Sequence, residues 1–366
     1  MKIKQLQLNN FRNIEKIELN PDNNLNFFMG NNAQGKTNIL EAIFFLATGS
    51  SFRSKEDANL VKFDSRGLYL KASYNYQDKN ANTTLSYEQQ KGKIIKINGK
   101  KPGQSNANRL KTVLFIPDDL FLVKGTPAKR RNFLDFVLKQ ISNEYNFNFN
   151  NYTNILKKRN FLLKKEQFKS RSFTIVNDLF IDSAVKLLMA RLNYVNILDA
   201  SVREIYEKLN VAPQQLKIRY ALSFPLDNGK INLETLREKL SKEVAQRNEM
   251  EVKKRITVLG PHLDDMHIYQ DGRLARQFAS QGQQRNISVC LKLAELESFN
   301  KISGYYPVLL LDEVLAELDS EKRQLLIDYL LKARFQSFLT SVSLDKINLS
   351  QAAIFTIKNG CLMRKE

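Results

Sequence analysis

Three things are scarce in this chain. It holds two cysteines, Cys290 and Cys361, and two histidines, His262 and His267. None has ligand spacing with another, so neither a disulfide framework nor a histidine–cysteine metal centre is expected, and a reducing, cytoplasmic setting fits. No apolar run approaches the roughly 18 residues that span a bilayer. Met1–Leu6 alternates polar and apolar residues where a signal peptide would carry its apolar core. A soluble protein is expected, with no membrane contact of its own. Acids are the third shortage: Asp and Glu number 38 against 57 Lys and Arg, a formal net charge of +19 over 366 residues. A nucleotide needs only a few cations at one site, so the surplus points to a larger polyanion, nucleic acid ahead of an anionic membrane surface. Charge that merely keeps a basic protein soluble is the plainer reading.

What is present is organised around residues 30 to 37: Gly30, Asn31, Asn32, Ala33, Gln34, Gly35, Lys36 and Thr37. This is G-x-x-x-x-G-K-T, the phosphate-loop pattern. A short apolar stretch, Leu25–Met29, precedes it and reads as a buried strand. Asn38–Leu46 follows with apolar residues at helical spacing. The glycines let the backbone turn its N–H groups toward a phosphate at the positive end of the helix. Lys36 is expected to reach the outer phosphates of ATP, and the Thr37 hydroxyl to hold Mg²⁺.

Around this loop the pattern is α/β. Two strands are expected about the turn Phe11-Arg12-Asn13, and alternating runs from Leu68 to Ile97 predict an antiparallel sheet, closed by the hairpin signal Asn98-Gly99. Thr112–Ile116 reads as one more strand. From residue 126 the period becomes helical, with Thr126 as N-cap and Pro127 in the first turn. Lys129, Arg130 and Arg131 then fall where the helix dipole disfavours cations, which calls for an outside reason such as a phosphate or an acidic partner. Helices are expected over Phe173–Asn210 and Leu233–Ile256, with a strand near Lys217–Phe224. After Gly260-Pro261 strands are expected at Met266–Tyr269 and Arg273–Phe278, then a helix from Ser280. Pro307–Leu311 reads as a buried parallel strand, followed by a helix over Ser320–Lys332 and strands at Ser337–Thr340 and, last, Ala353–Ile357. The organisation is thus a head of 1–123 plus 252–366, interrupted by a mainly helical insertion, 124–251.

Three further stretches bear on chemistry. Leu309-Leu310-Leu311-Asp312-Glu313 is an apolar strand ending in two carboxylates: Asp312 would hold Mg²⁺ beside Thr37, and Glu313 would orient or deprotonate the attacking water. Neighbouring acids repel, so one is expected to have a raised pKa, as a base would use. Ala316-Glu317-Leu318-Asp319 follows, Asp319 reading most simply as an N-cap. Phe278–Arg285 places Ser280, Gln281, Gly282 and Gln283 at a helix start, uncharged and suited to touching phosphate.

Taken along the chain, as phosphate loop, Ser280–Gln284, Asp312-Glu313 and then Ala316–Asp319, the motifs resemble the ABC-type ATPase head. With Leu8–Asn13, Thr37–Ile43, Leu122–Arg131 and Gly260-Pro261-His262 added, the likeness is to the RecF family and runs from first strand to last. The resemblance implies an ABC-type head with an antiparallel β subdomain and an inserted helical domain. It implies a weak, DNA-stimulated ATPase that dimerises on ATP, closes on DNA at single-strand gaps or junctions, and helps load RecA with RecO and RecR. The nucleotide would lie against Arg12, Asn13, Gly30–Thr37 and Asn38, closed in trans by Ser280–Gln283 of a second copy. Departures are Glu313 where the family commonly has a second aspartate, Leu263 where His-Arg-Asp is usual, and Thr340-Ser341 in place of a switch histidine, leaving γ-phosphate sensing to the Thr340 hydroxyl. Candidate DNA contacts are Lys129, Arg130, Arg131, Lys157, Lys158 and Arg159. A transporter's nucleotide-binding subunit and a small-molecule P-loop kinase are the competing classes. The missing histidine and the basic charge speak against the first, the signature motif against the second.

Overall fold

Strand β1 (Lys2–Phe11) turns at Arg12-Asn13 into β2 (Ile14–Leu19), and Leu6, Leu8, Phe11, Ile14 and Ile17 all point inward. The computed structural model describes residues 1–22, 24–103, 109–209, 215–226, 231–342 and 352–365. These form two compact units, Met1–Phe121 with Arg285–Glu366, and Leu122–Gln284.

In the first unit the chain continues through β3 (Leu25–Met29) and α1 (Lys36–Thr48) to β4 (Gly67–Tyr76), β5 (Lys79–Glu88), β6 (Gly92–Ile97) and β7 (Thr112–Phe115). One sheet is antiparallel, in the order β2-β1-β4-β5-β6. Its strands alternate inward apolar and outward polar residues, the pattern of a sheet with one wet face. Asn98-Gly99 makes the expected turn, both residues at positive φ.

The second unit carries α2 (Pro127–Ile141), α3 (Asn143–Lys164), α4 (Arg171–Leu209), β8 (Leu216–Ala221), α5 (Leu233–Gln246), α6 (Asn248–Lys254), β9 (Asp265–Gln270), β10 (Arg273–Leu274) and α7 (Ala275–Phe278). Asn210, the expected end of α4, lies outside the described residues. The helix expected over 233–256 is two, parted at Arg247. The strand expected over Arg273–Phe278 lasts two residues before a helical turn begins. The unit also runs past 251 to Gln284, because β9 pairs with both β8 and β10 in a small antiparallel sheet. The β8–β9 pairing joins strands far apart in the chain, as Ile218 with Ile268, and has no local signature.

Helix α8 (Gln281–Ser303) leads back into the first unit, where β11 (Val308–Asp312), α9 (Ser320–Leu331), β12 (Ser337–Ser341), β13 (Ala353–Lys358) and β14 (Cys361–Lys365) complete the second sheet. Its order is β14-β13-β3-β12-β11-β7, parallel except for β14. Ala353–Ile357 is therefore not the last strand; it turns at Asn359-Gly360 into β14. Strands β3, β7, β11 and β12 are buried almost end to end, as in a sheet covered on both faces, and Phe28 stacks on Phe338 at 6.0 Å. Helix α1 packs against strands of both sheets, so residues all round it are buried, from Ile39 to Ala47. Among the described residues no helix is long and apolar enough to cross a membrane.

Candidate nucleotide site

The carboxyl ends of parallel β3, β12 and β11 lie side by side, with Thr340 in register with both Phe28 and Asp312. In a sheet of this kind ligands bind at those ends. Here the chain leaves β3 into the phosphate loop. Gly30, Ala33 and Gly35 all have positive φ (151°, 63° and 115°), which curls the backbone before α1 begins. A side chain at Gly30 would strike the carbonyl of Ile357 at 2.4 Å.

The loop lines a cavity of about 260 Å³ with Asn13, Lys36, Thr37, Asn38, Arg53 and Glu313. The Lys36 amine donates to the carbonyls of Gly30 (2.7 Å) and Asn31 (3.1 Å) and lies 3.5 Å from the Glu313 carboxylate. Thr37 and Thr340 both donate to Oδ1 of Asp312, at 2.7 and 2.8 Å, and Thr340 accepts from the Glu313 amide at 2.9 Å. Burial pushes the Asp312 carboxyl above the usual range, against those two hydroxyl bonds and with the help of neighbouring Glu313. The raised acid is thus the one beside Thr37. Glu313 itself is held at φ 53°, an uncommon conformation for a glutamate, and its side chain is open to the cavity. The hydroxyl of Thr37 and the carboxylate of Asp312 form a hard-oxygen pair that suits Mg²⁺.

A relay of amides flanks the loop. Arg53 donates to Asn38 (2.9 Å), Asn38 to Asn13 (2.8 Å), and Asn13 to the carbonyl of Gln34 (3.1 Å). Arg12 is not part of the cavity wall. Its guanidinium makes a forked bond to fully buried Glu41 (3.0 and 2.8 Å). Sequence reasoning missed Arg53 and Glu41. An arginine in a polar loop carries no spacing signal, but an acid inside the apolar run Ile39–Leu46 was a legible sign that a cation must reach it.

The signature residues stand at the start of α8. Ser280 Oγ accepts from the Gln283 amide (3.3 Å) and Gln283 Oε1 accepts from the Ser280 amide (2.8 Å), a reciprocal cap. Ser280, Gln281 and Gly282 are exposed, and a side chain at Gly282 would meet nothing within 4 Å. Further along, Arg285 reaches Glu317 at 3.3 Å, joining this helix to Ala316–Asp319. Asp319 caps α9 through the Lys322 amide at 2.9 Å, as its plain reading held.

Two of the candidate DNA contacts are corrected. Arg130 is 2% exposed: it forks onto Asp265 (2.7 and 2.8 Å) and donates to the carbonyls of Leu122, Val123 and Gly125. The cation in the first turn of α2 is therefore balanced from within. Arg159 is fully buried, 2.6 Å from Glu251. Arg131 is half-buried and donates to the Asp264 carbonyl at 2.6 Å, Lys129 is half-buried, and Lys157 and Lys158 are exposed. His262 hydrogen-bonds Tyr152 at 2.6 Å. Among the described residues no three or more of His, Cys, Asp and Glu come together in a way that could hold a metal.

Residues 2–361 match the model of the RecF/RecN/SMC N-terminal domain. A DNA replication and repair protein RecF of Natranaerobius thermophilus is 36% identical over 380 residues, covering 98% of this chain and 97% of its own. The RecF of Bacillus subtilis is 35% identical with both chains fully covered. The chain belongs to the RecF family. RecF structures support the fold in detail: a recombination mediator RecF with ATPrS superposes at a TM-score of 0.88, with 31% identity over the whole chain and 98% of that one. An ATP complex gives 0.85. An Smc head matches at 0.56 with 14% identity and shares the fold alone. This RecF-family chain has the ABC/SMC-type ATPase head fold.

Proposed function

We propose that this protein is an ATP-gated DNA clamp of replication and recombinational repair, a reading that its relatives' description as DNA replication and repair proteins supports. The observation that carries it is the convergence of Lys36, Thr37, Asp312 and Glu313 at the ends of three parallel strands. On ATP binding the Lys36 amine exchanges two backbone carbonyls for the outer phosphates, a stronger charge-assisted contact. Thr37 and Asp312 hold Mg²⁺, which neutralises phosphate charge when bound. Glu313 orients or deprotonates the attacking water. Thr340 has its one proton on Asp312 and accepts from the Glu313 amide. It therefore ties the Asp312 carboxylate to the backbone of Glu313 and senses the γ-phosphate through them.

The exposed start of α8, with open space over Gly282, fits a surface that a second copy's nucleotide would cover. In this reading Ser280–Gln283 of one copy close the phosphate loop of the other, and hydrolysis, stimulated by DNA and slow, reopens the dimer. DNA contacts come from lysines and arginines, so binding is largely indifferent to sequence and falls steeply with salt. Single-strand gaps or junctions are the site of action, and RecO and RecR the partners through which RecA is loaded. The test is ATP turnover with and without gapped DNA. Lys36→Met should abolish ATP binding, and Glu313→Gln should retain binding while turnover falls by about 10²-fold or more. Unchanged turnover in Glu313→Gln would remove Glu313 from the chemistry.

A further inference from the structure

Helix α3 and its C-cap residue Lys165 present one long exposed face whose residues recur every three to four positions: Phe147, Asn151, Asn154, Lys158, Phe161 and Lys165, flanked by Lys157 and Lys164. Phe147 is 70% exposed and Phe161 56%, on a helix whose opposite side buries Tyr145, Tyr152, Arg159, Leu162 and Leu163. The helix has one acid, Glu144, in its first turn. The next acid along the chain, Glu166, is taken by Arg255. From Phe147 to Lys165 the face thus joins two bare aromatic rings, neutral amides and four lysines with no carboxylate. The Lys165 amine lies 5.9 Å from the ring of Phe161, so charge and ring are offered at the same place.

An isolated exposed apolar residue needs no explanation. Two phenyl rings roughly 21 Å apart on one cationic face define what would cover them. The partner must bring negative charge at intervals along the helix and flat apolar surfaces between those charges. Unpaired nucleotides do both, since every base has a π-face and every linkage a phosphate. A duplex keeps its base faces stacked away and would meet the lysines alone. An anionic membrane would want a continuous apolar stripe, and here Asn151 and Asn154 interrupt it.

We infer that the exposed face of α3 is a single-strand DNA track, with Phe161 and Phe147 as base-stacking platforms between phosphate-binding Lys157, Lys158, Lys164 and Lys165. The inference rests on the DNA-clamp reading and adds to it the place, on the second unit, where unpaired strand is held and the residues that hold it. Stacking one base on an aromatic ring is sequence-tolerant, so the track would hold any sequence and favour exposed strand over duplex.

The test is fluorescence anisotropy of the full chain with ATP, using a dT oligonucleotide of about 16 nucleotides and a duplex of the same length. Phe161→Ala removes an exposed ring and leaves the buried side of α3 intact. It should weaken single-strand binding about tenfold and leave duplex binding, ATP binding and the melting temperature unchanged. Lys157→Glu with Lys158→Glu should weaken both substrates and flatten the salt dependence of binding. The inference is overturned if Phe161→Ala leaves single-strand affinity intact, or lowers both affinities alike. It is also overturned if the variant loses only binding to phosphatidylserine vesicles. A wild-type protein that binds neither DNA would overturn the clamp reading as well, whereas normal DNA binding by wild type and Phe161→Ala alike would overturn the track alone.

Discussion

A side-chain carbon placed on Gly360 would lie 2.5 Å from the backbone carbonyl oxygen of Asn13. The β13–β14 turn is thus pressed against the β1–β2 turn, whose Asn13 flanks the phosphate loop. Asn359 donates its amide to the Gln34 side chain (2.6 Å), and Gly360 donates to the Gln34 carbonyl (3.0 Å). Asn13 in turn bonds Gln34 and Asn38, so the hairpin, the first β-turn and the nucleotide cavity share one network.

Gly360→Ala should therefore weaken nucleotide binding about tenfold or more, beyond the 1–2 kcal/mol of backbone strain that a side chain at φ 76° imposes. Gly272→Ala is the control. Gly272 has nearly the same φ, 77°, in the β9–β10 turn, but open space around it. Titration with a fluorescent ATP analogue should separate the two, Gly360→Ala losing affinity and Gly272→Ala keeping it. Equal affinities would mean that the hairpin does not position the loop.

The second expectation concerns Arg159. It holds Glu251, Asn177 and Thr257 in the interior, and its guanidinium lies over the ring of Phe180 at 4.9 Å. Arg159→Met leaves a buried carboxylate uncompensated and should cost about 3–5 kcal/mol, read as a fall in the denaturation midpoint. Adding Glu251→Met should recover part of that loss. DNA affinity per folded molecule should not change, in contrast to Lys157 and Lys158.

That contrast marks how far the sequence could be read. Lys157, Lys158 and Arg159 are one charge run, yet each residue turns about 100° from the last. Arg159 falls seven residues after buried Tyr152 and so joins the inner face. The run alone did not reveal this; the period of the buried residues did carry it. The phosphate loop, the Asp312-Glu313 strand end and the Ser280 cap were legible because each is a local pattern with fixed spacing. The end of the inserted unit at Gln284 was not, because it depends on β9 finding β8 across intervening helices. Nor was the final strand, whose short polar-flanked run reads as a tail until β13 offers it an edge.

Acid stability should carry the mark of His262. Burial and the nearby Arg131, Arg159 and Arg191 cations pull its ring down to about 4 from an ordinary value of 6.5. Between those values the unfolded chain takes up a proton that the folded chain refuses. The stabilisation is complete above pH 6.5 and is lost as the pH falls toward 4, by about 3 kcal/mol at most. Denaturant titrations at pH 7.5 and pH 5 should show this slope in the wild type and a flatter one in His262→Asn. A parallel slope in the variant would assign the loss to other groups.

The central claim is that Gly30–Thr37 is half of a site, completed by Ser280–Gln283 of a second copy. Light scattering of the purified chain with ATP, with ADP and without nucleotide tests it most directly. The mass should double with ATP only, and Ser280→Arg should bind ATP yet keep the mass of a single chain. A wild-type protein that stays single with ATP, or a Ser280→Arg variant that doubles as readily, would contradict the account.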